Sequence, residues 1–341
     1  MHAAVITRPG PPDVLQLRDV PMPAPGTEQI LVRVRASALN RADLLQRRGG
    51  YPAPPGSPAD VPGLEYAGEV AALGPGARLW KEGDRVFGLT GGGGHAEYLV
   101  VHERTAARVP DALSWAEAGA VPEAFMTAHD ALWQANARPG ETALVHAVAS
   151  GVGLAAVQLA RAFGLRPLGT ARTASKLEAA RALGMHAGLA VDRATADDPT
   201  GLGETLAAFV GAHVEGHGGA RGGAHVALDL VGGAYTAATL HAMAPLGRLV
   251  LIGLVAGATA PLDLGRILRG RLTVRGTVMR ARPLEERIAT AMRFGDEVVP
   301  LLASGAVRAT LDRTFPLGEI AAAHELLESN ATVGKVGILI E

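Results

Sequence analysis

The sequence predicts an α/β protein in which an all-β segment precedes a doubly wound parallel sheet. Up to about Leu113, the chain contains short segments rich in valine and isoleucine, such as "ILVRVRASAL" and "AEYLVV", that proline or glycine separates. This pattern is typical of β-strands. From about Trp115 onward, helical and strand patterns alternate, and this alternation predicts βαβ units that form a parallel sheet.

Length and composition narrow the class of function. The chain has 341 residues, of which 48% are hydrophobic, so it can bury a large core and is long enough for two domains. Lys and Arg total 32 against 33 Asp and Glu, and this balance does not favour nucleic acid or an anionic membrane as a partner. The sequence has no cysteine, which excludes disulfides, thiolate nucleophiles and zinc sites with thiolate ligands.

The predicted elements of the second segment can be read in order. A strand at "ETALVHA" leads into a helix that begins at Gly151, then come a strand at "RPLGTA", a helix over Ser175–Leu183 and a strand at "AGLAV". Further strands are predicted at "HVALDLVGG" and "GRLVLIGL", and "RLTVRGTVM" is the predicted edge strand. A glycine-rich loop is predicted at Gly216–His225. Beyond Arg280, two helical stretches and a terminal strand are expected to return to the first domain.

The turn "HAVASGVG" is a candidate nucleotide site. A dinucleotide fold needs a sharp strand-to-helix turn whose backbone amides and helix N-terminus face a pyrophosphate. The usual glycine positions are occupied here by Val148, Ser150 and Gly153, which is a weak match, but the strand, helix and βαβαβ context favour nucleotide binding. We therefore predict contacts from Ser150, Gly151, Val152 and Gly153. A tight turn without ligand is the alternative, and Ser150 is expected to cap the helix or contact phosphate.

The end of the second predicted strand indicates which nucleotide is bound. A fold that prefers NAD places an acidic residue here, on the ribose 2′-hydroxyl. In this chain Thr170 is followed by Arg172, Thr173 and Lys176, and two cations with a hydroxyl suit a 2′-phosphate. The alternative is a solvated helix start. The missing acid leads us to predict NADPH as the cofactor.

Five motifs together resemble a known family. "ASALNRADLLQRRGGYPAPPG", "PGLEYAGEV", "GGGGHAEY" and "AVPEAFMTAHDAL" occur in that order, ahead of "HAVASGVGLAAVQLA". The chain is thereby similar to the zinc-independent quinone oxidoreductases of the medium-chain dehydrogenase/reductase superfamily, in particular to the p53-inducible branch. Zinc-dependent relatives have Gly-His-Glu where this chain has Gly63-Leu64-Glu65. With neither that histidine nor any cysteine, no metal site is expected.

The resemblance implies a two-domain organisation. It implies a GroES-like β domain over residues 1–121 that residues 280–341 complete, and a Rossmann domain over residues 122–279 that binds NADPH. The active site would lie in the cleft between them. It also implies a homodimer in which the edge strand near Leu272–Met279 pairs with its copy. The sequence shows neither an N-terminal signal segment nor an apolar run long enough to span a bilayer, so a cytoplasmic location is expected.

Candidate site residues come from these motifs and from the strand ends. By resemblance, Asn40, Asp43 and Tyr51 approach the active site from the β domain, and Thr127 lies near the nicotinamide. The alternative for Asn40 and Asp43 is a turn or helix cap, and for Tyr51 it is packing on the proline-rich loop. Because ligands bind at the carboxyl ends of parallel strands, backbone contacts to the cofactor are also predicted, and the tail is expected to add one lysine. These residues are Leu230, Gly253, Leu254 and Lys335.

The predicted reaction is the reduction of a quinone by hydride from NADPH. Without a metal, an electrophilic acceptor needs orientation against the nicotinamide more than strong acid or base groups. An NADPH-dependent reductase of enone or alkenal double bonds fits the same residues, and sequence does not separate the two. A nucleotide-sensitive RNA-binding or structural protein is a third reading. The net charge of −1 and the 4% of aromatic residues argue against RNA binding.

Overall fold

The computed structural model describes residues 1–214 and 222–341. The chain divides into two compact units: unit 1 comprises Met1–Met126 with Met279–Glu341, and unit 2 comprises Thr127–Val278. The boundaries predicted from the sequence lie after residues 121 and 279. In the structure the chain leaves unit 1 within a helix that starts at Pro122. Proline suits the first position of a helix because the N–H that it lacks would have no partner there. The helical stretch predicted from Trp115 is accordingly two helices.

The helices and strands follow in chain order. The first part contains β1 (His2–Ile6), β2 (Leu15–Asp19), β3 (Gln29–Leu39), α1 (Arg41–Arg47), β4 (Glu65–Leu73), β5 (Arg85–Leu89), β6 (Tyr98–His102), β7 (Ala106–Arg108), α2 (Trp115–Gly119) and α3 (Pro122–Gln134). The middle part contains β8 (Thr142–Val145), α4 (Gly151–Ala162), β9 (Arg166–Ala171), α5 (Ala174–Ala182), β10 (Ala187–Ala190), α6 (Arg193–Asp197), α7 (Pro199–His213), β11 (Ala224–Asp229), α8 (Ala234–Ala242), β12 (Met243–Leu251), α9 (Leu264–Gly270) and β13 (Thr273–Gly276). The last part contains α10 (Leu284–Glu297), α11 (Val299–Ala303), β14 (Leu311–Pro316), α12 (Ile320–Glu328) and β15 (Lys335–Leu339).

Unit 1 is built around a sheet to which the end of the chain contributes. The strand order is β14-β15-β3-β4-β5-β7, and β6 also pairs with β3. The pairing of β15 with β3 is antiparallel, with Ile338 opposite Ser37, so the predicted return of the terminal strand is confirmed. The core between this sheet and α12 is formed by apolar side chains that include Ile30, Val32 and Ile338. Strand β14 was not predicted, because "LDRTFP" is mostly exposed and lacks a buried apolar alternation.

Unit 2 is a parallel sheet with the order β10-β9-β8-β11-β12-β13 among the described residues. Numbered from β8, this order is 3-2-1-4-5-6, the doubly wound order of dinucleotide-binding folds. The order reverses between β8 and β11, and a ligand binds outside the carboxyl ends of the strands at such a point. Strand β8 is buried throughout, as expected for a strand with helices on both faces of its sheet.

Three further predictions can be compared with these elements. Strand β13 lies at the edge of the sheet, as predicted. Helix α9 was missed: Leu264, Ile267 and Leu268 follow a helical spacing, but the helix spans only seven residues and buries none of them. The predicted loop Gly216–His225 falls largely outside the described residues, and Ala224 already begins β11. In the part of the chain that the structure describes, no helix combines the length and the apolar character needed to span a bilayer.

Candidate functional site

The turn between β8 and α4 presents a helix N-terminus at the switch point of unit 2. Ser150 is the N-cap of α4, and its Oγ accepts a hydrogen bond from the Gly153 amide at 3.1 Å. The first backbone bond of the helix runs from the Leu154 amide to the Ser150 carbonyl at 2.9 Å. The amides of Gly151 and Val152 therefore have no carbonyl partner within the helix. They form an anion-binding end, which the helix dipole strengthens.

Gly153 retains the close packing that a dinucleotide turn requires. A Cβ atom on Gly153 would lie 2.6 Å from the carbonyl oxygens of both Ala147 and Val148. Only glycine therefore lets α4 approach the end of β8 this closely. Val148 occupies the first glycine position of the usual pattern, but it is fully buried, and its amide donates to the Thr170 carbonyl at 2.9 Å. The turn thus keeps the third glycine of the pattern and tolerates side chains at the other two places.

A buried histidine at the end of β8 links this turn to Thr170 and Thr239 by hydrogen bonds. His146 Nε2 lies 2.8 Å from Thr239 Oγ1, and Nδ1 lies 2.9 Å from Thr170 Oγ1. Thr239 Oγ1 already donates to the Tyr235 carbonyl, so it accepts from Nε2–H, and Nδ1 accepts from the Thr170 hydroxyl. Burial lowers the pKa of His146, which keeps the ring neutral. The structure places the Thr170 hydroxyl on His146, and the predicted contact of Thr170 with the cofactor stays a prediction.

Cationic residues follow β9, where an acidic residue would select NAD. Arg172 and Thr173 are exposed and Lys176 is half-buried, in the loop and first turn that lead into α5. Burial raises the pKa of Tyr235, the Asp229 carboxylate raises it further, and the charge of Arg172 lowers it. The Arg172 guanidinium therefore acts electrostatically on a side chain that follows β11, beside the switch point.

The ends of β11 and β12 pack together through glycines. The Asp229 carboxylate accepts from the Gly232 amide at 2.9 Å and so fixes the turn after β11. A Cβ on Gly253 would lie 2.6 Å from the Leu230 carbonyl oxygen, and one on Gly232 would lie 3.0 Å from Leu254 Cα. The predicted residues Leu230, Gly253 and Leu254 are thus brought together at the carboxyl edge of the sheet, where a cofactor would contact their backbone.

In unit 1, the predicted residues Asn40 and Asp43 form the start of α1. The Asp43 carboxylate accepts from the Asn40 amide at 2.7 Å and from the Gly63 amide at 3.1 Å. Asp43 is fully buried, so both of its oxygens are used to cap the helix and to hold the neighbouring loop. The structure therefore supports the helix-cap reading of Asp43.

The Asn40 side chain belongs to a buried polar cluster, which includes Lys335. Lys335 Nζ donates to Glu65 Oε1 at 2.7 Å, to the Leu39 carbonyl at 2.9 Å and to Asn40 Oδ1. Asn40 Nδ2 donates to the same Glu65 oxygen at 2.8 Å, and the other Glu65 oxygen accepts from the Glu123 amide at 2.8 Å. All three N–H bonds of Lys335 have acceptors, so a contact with the cofactor would require the loss of one of these bonds.

Tyr51 is held by an arginine that the sequence analysis did not single out. Arg280 donates to the carbonyls of Tyr51 and Gly91 at 3.0 and 2.7 Å and to Gln46 Oε1 at 2.8 Å. Its guanidinium also lies 4.9 Å from the centre of the Tyr51 ring, within cation–π range. Burial raises the pKa of the Tyr51 hydroxyl, Glu123 raises it further, and Arg280 acts in the opposite direction. No local sequence pattern indicates Arg280, because its three partners lie about 190 to 230 residues away along the chain.

The remaining predictions concern Thr127 and the absence of a metal. Thr127 is buried on α3 and begins unit 2. Leu64, which occupies the position of the zinc-binding histidine, is buried. Among the side chains that the structure describes, no three of histidine, aspartate or glutamate come together as a metal ion would require.

Comparison with known proteins agrees with this architecture. The alcohol dehydrogenase GroES-like domain matches residues 26–111, and the zinc-binding dehydrogenase domain matches residues 151–297. A quinone oxidoreductase of Pseudomonas aeruginosa is 34% identical over 336 residues, which cover 97% of each chain. Among solved structures, the quinone oxidoreductase of Thermus thermophilus, also determined as its complex with NADPH, is 34% identical with a TM-score of 0.79 over 99% of this chain and 100% of that one. An NAD-dependent alcohol dehydrogenase matches over 100% of both chains with 29% identity and a TM-score of 0.80.

Proposed function

The chain belongs to the quinone oxidoreductases of the medium-chain dehydrogenase/reductase superfamily, and from this premise we propose that it reduces quinones with hydride from NADPH. The observation that carries the proposal is the carboxyl edge of the unit 2 sheet. The N-terminus of α4 lies there beside a β9 end that bears Arg172, Thr173 and Lys176 but no carboxylate. The structure of the related Thermus thermophilus enzyme has been determined as its complex with NADPH.

The features of this edge suit the pyrophosphate and the 2′-phosphate of NADPH. The amides of Gly151 and Val152 at the α4 N-terminus suit the pyrophosphate. Arg172 and Lys176 suit the 2′-phosphate, because a guanidinium pairs bidentately with phosphate and an ammonium adds a point charge. An acidic residue at the end of β9 would instead accept from the 2′-hydroxyl of NAD. NADPH supplies the hydride when bound.

On the acceptor side, unit 1 offers Tyr51 as a hydrogen-bond donor through its hydroxyl or as an aromatic wall. The raised pKa of its hydroxyl keeps the proton in place at neutral pH, so the group can donate a hydrogen bond to a carbonyl oxygen. A quinone that gains one hydride and one proton becomes a hydroquinone, so the step balances without a metal. Roles for Asn40, Asp43 and Thr127 in this chemistry stay predictions, as does a cytoplasmic location.

The test is the initial rate of reduced-nicotinamide oxidation with a para-quinone acceptor, measured with NADPH and with NADH. We expect turnover with a kcat/KM at least about tenfold higher for NADPH than for NADH, because one strong charge-assisted contact to the 2′-phosphate contributes about this much to binding. Equal or better use of NADH would contradict the 2′-phosphate site. If quinones fail while an enone is saturated, as detected by product mass, the protein is an enone reductase that uses the same cofactor.

We propose further that the protein is a homodimer through the β13 edge. Strand β13 pairs only with β12 among the described residues, and an edge strand offers unpaired backbone groups to a copy of itself. Leu264 and Leu268 on the preceding helix are 72% and 78% exposed, which is unusual for large apolar side chains that lie together. Sedimentation should give twice the chain mass, and Leu268→Glu should shift the protein toward the monomer. A monomeric wild type would contradict this proposal.

A further inference from the structure

A small cavity in unit 1 is lined by an arginine whose buried Nε lacks a hydrogen-bond partner among the described residues. The cavity has a volume of about 30 Å³, roughly twice what one water molecule occupies. Leucine, methionine and alanine side chains form much of its wall, and Glu123, Arg280 and Arg287 also line it. The Nε atom of Arg287 is buried and, within residues 1–214 and 222–341, finds no hydrogen-bond acceptor. A buried donor in that state indicates that something absent from the chain itself completes the site.

Arg287 is half-buried, and no ion pair to its guanidinium is found in the part of the chain that the structure describes. Burial lowers the pKa of Arg287, and no carboxylate in that part acts against this shift. Arg280, on the same cavity, uses one hydrogen on each of its three nitrogens for Gly91, Tyr51 and Gln46. A guanidinium has five N–H hydrogens, so two remain on Arg280. The cavity therefore offers donors from two cationic groups.

The hydroxyl groups of the cavity can only accept. Thr90 donates its hydroxyl hydrogen to the Gly92 carbonyl at 2.8 Å, and Thr105 donates to the His102 carbonyl at 2.8 Å. Thr290 donates to the Glu286 carbonyl at 2.9 Å and accepts from Arg282 Nη1 at 3.2 Å, so it has one lone pair left. Each oxygen then presents lone pairs alone. A simple anion would be attracted by the arginines and repelled by these oxygens and by Glu123, whereas an atom that can accept and also donate satisfies both sets.

We propose that this cavity is a subsite for an oxygen atom of the acceptor, which binds as a carbonyl and leaves as a hydroxyl. This proposal rests on the proposed function, which supplies the hydride that converts one into the other with one proton from solvent. The carbonyl oxygen accepts from Arg287, and the hydroxyl formed by reduction donates to the threonine oxygens or to Glu123. Two guanidinium groups would also stabilise the negative charge that develops on that oxygen during hydride transfer.

The test is calorimetric binding of hydroquinone to the full protein saturated with NADP⁺. Three variants are compared with the wild type: Arg287→Met, Arg287→Lys, and Arg313→Met as a matched control at an exposed arginine of the same unit. We expect Arg287→Met to weaken hydroquinone binding at least about tenfold, as loss of one hydrogen bond to a charged group implies. Arg287→Lys should restore part of the affinity. Arg313→Met should bind as the wild type does, and the Kd of NADP⁺ should be the same in all four proteins.

The outcomes separate this proposal from the proposed function. Suppose that hydroquinone binding depends on Arg287 but that the protein oxidises NADPH with none of the quinones tested. This result would support the subsite and contradict the proposed quinone reductase activity. If Arg287→Met leaves both quinone turnover and hydroquinone affinity unchanged, the subsite proposal is overturned. The cavity then holds only water. Failure of the wild type to bind hydroquinone also overturns it. If Arg287→Met does not fold, Arg287→Lys decides, because wild-type affinity in that variant would contradict a directional N–H contact.

Discussion

At the residue scale, the Lys335 and Glu65 pair joins the last strand of the chain to the beginning of α3. Both side chains are buried, and the pair is satisfied by Asn40 and by the Glu123 amide. Removing one partner leaves the other charge buried without compensation, which costs about 3–5 kcal/mol. We therefore predict that Lys335→Met lowers the midpoint of thermal unfolding strongly. Lys81→Met, at an exposed position, is the control, and equal midpoints for the two variants would contradict the prediction.

Arg172 is the residue on which cofactor choice most depends. Its replacement removes the one group at the end of β9 that can pair bidentately with a 2′-phosphate. We predict that Arg172→Ala raises the KM for NADPH about tenfold and leaves the KM for NADH unchanged, since a tenfold effect corresponds to about 1.4 kcal/mol. Initial rates with both cofactors measure this. The control is Arg181→Ala in the last turn of α5, where the arginine pairs with Glu178 at the surface. An equal loss with both cofactors would mean that Arg172 acts on the fold.

At the element scale, the approach of α4 to β8 depends on one glycine. A Cβ on Gly153 would meet two backbone oxygens at 2.6 Å, whereas one on Gly295, near the end of α10, would meet nothing within 4 Å. We predict that Gly153→Ala displaces α4, lowers the thermal midpoint and weakens NADPH binding. Gly295→Ala should stabilise the protein by about 0.5–1 kcal/mol, because alanine is the better helix former. Unchanged NADPH affinity in Gly153→Ala would mean that the α4 amides do not hold the pyrophosphate.

The elements also show what a sequence can and cannot predict. Strand β9 and the edge position of β13 could be predicted, because local composition and alternation determine them. Strand β14 was missed since it is mostly exposed and shows no apolar alternation, and helix α9 was missed since its apolar spacing extends over only seven residues. The roles of Thr170 and Arg280 were not predictable either. The hydroxyl of the first and the guanidinium of the second find their partners across long sequence separations, which only the tertiary structure reveals.

At the scale of the whole molecule, buried neutral histidines make stability depend on pH. Burial lowers the pKa of His95, His146 and His324, the last to about 2. His324 Nδ1 accepts from Arg47 at 3.1 Å, so a proton there would oppose a neighbouring cation. The unfolded chain binds a proton at each of these sites below about pH 6.5, whereas in the folded chain each site takes up its proton only at a lower pH. Stability is therefore complete above about pH 6.5 and falls as the pH decreases.

The size of this effect can be tested at one site. Each histidine that stays neutral in the fold reduces the free energy of unfolding by about 1.4 kcal/mol per pH unit below pH 6.5. We predict that His324→Gln, which keeps a side-chain acceptor for Arg47, lowers stability at pH 7.5 but gives a shallower decrease between pH 6.5 and 4.5. The thermal midpoint measured across this range checks it, with the exposed His241→Gln as the control. If His324→Gln and the wild type lose stability with the same slope, His324 binds equally many protons in the folded and the unfolded chain over this range, and other groups cause the acid-induced loss of stability.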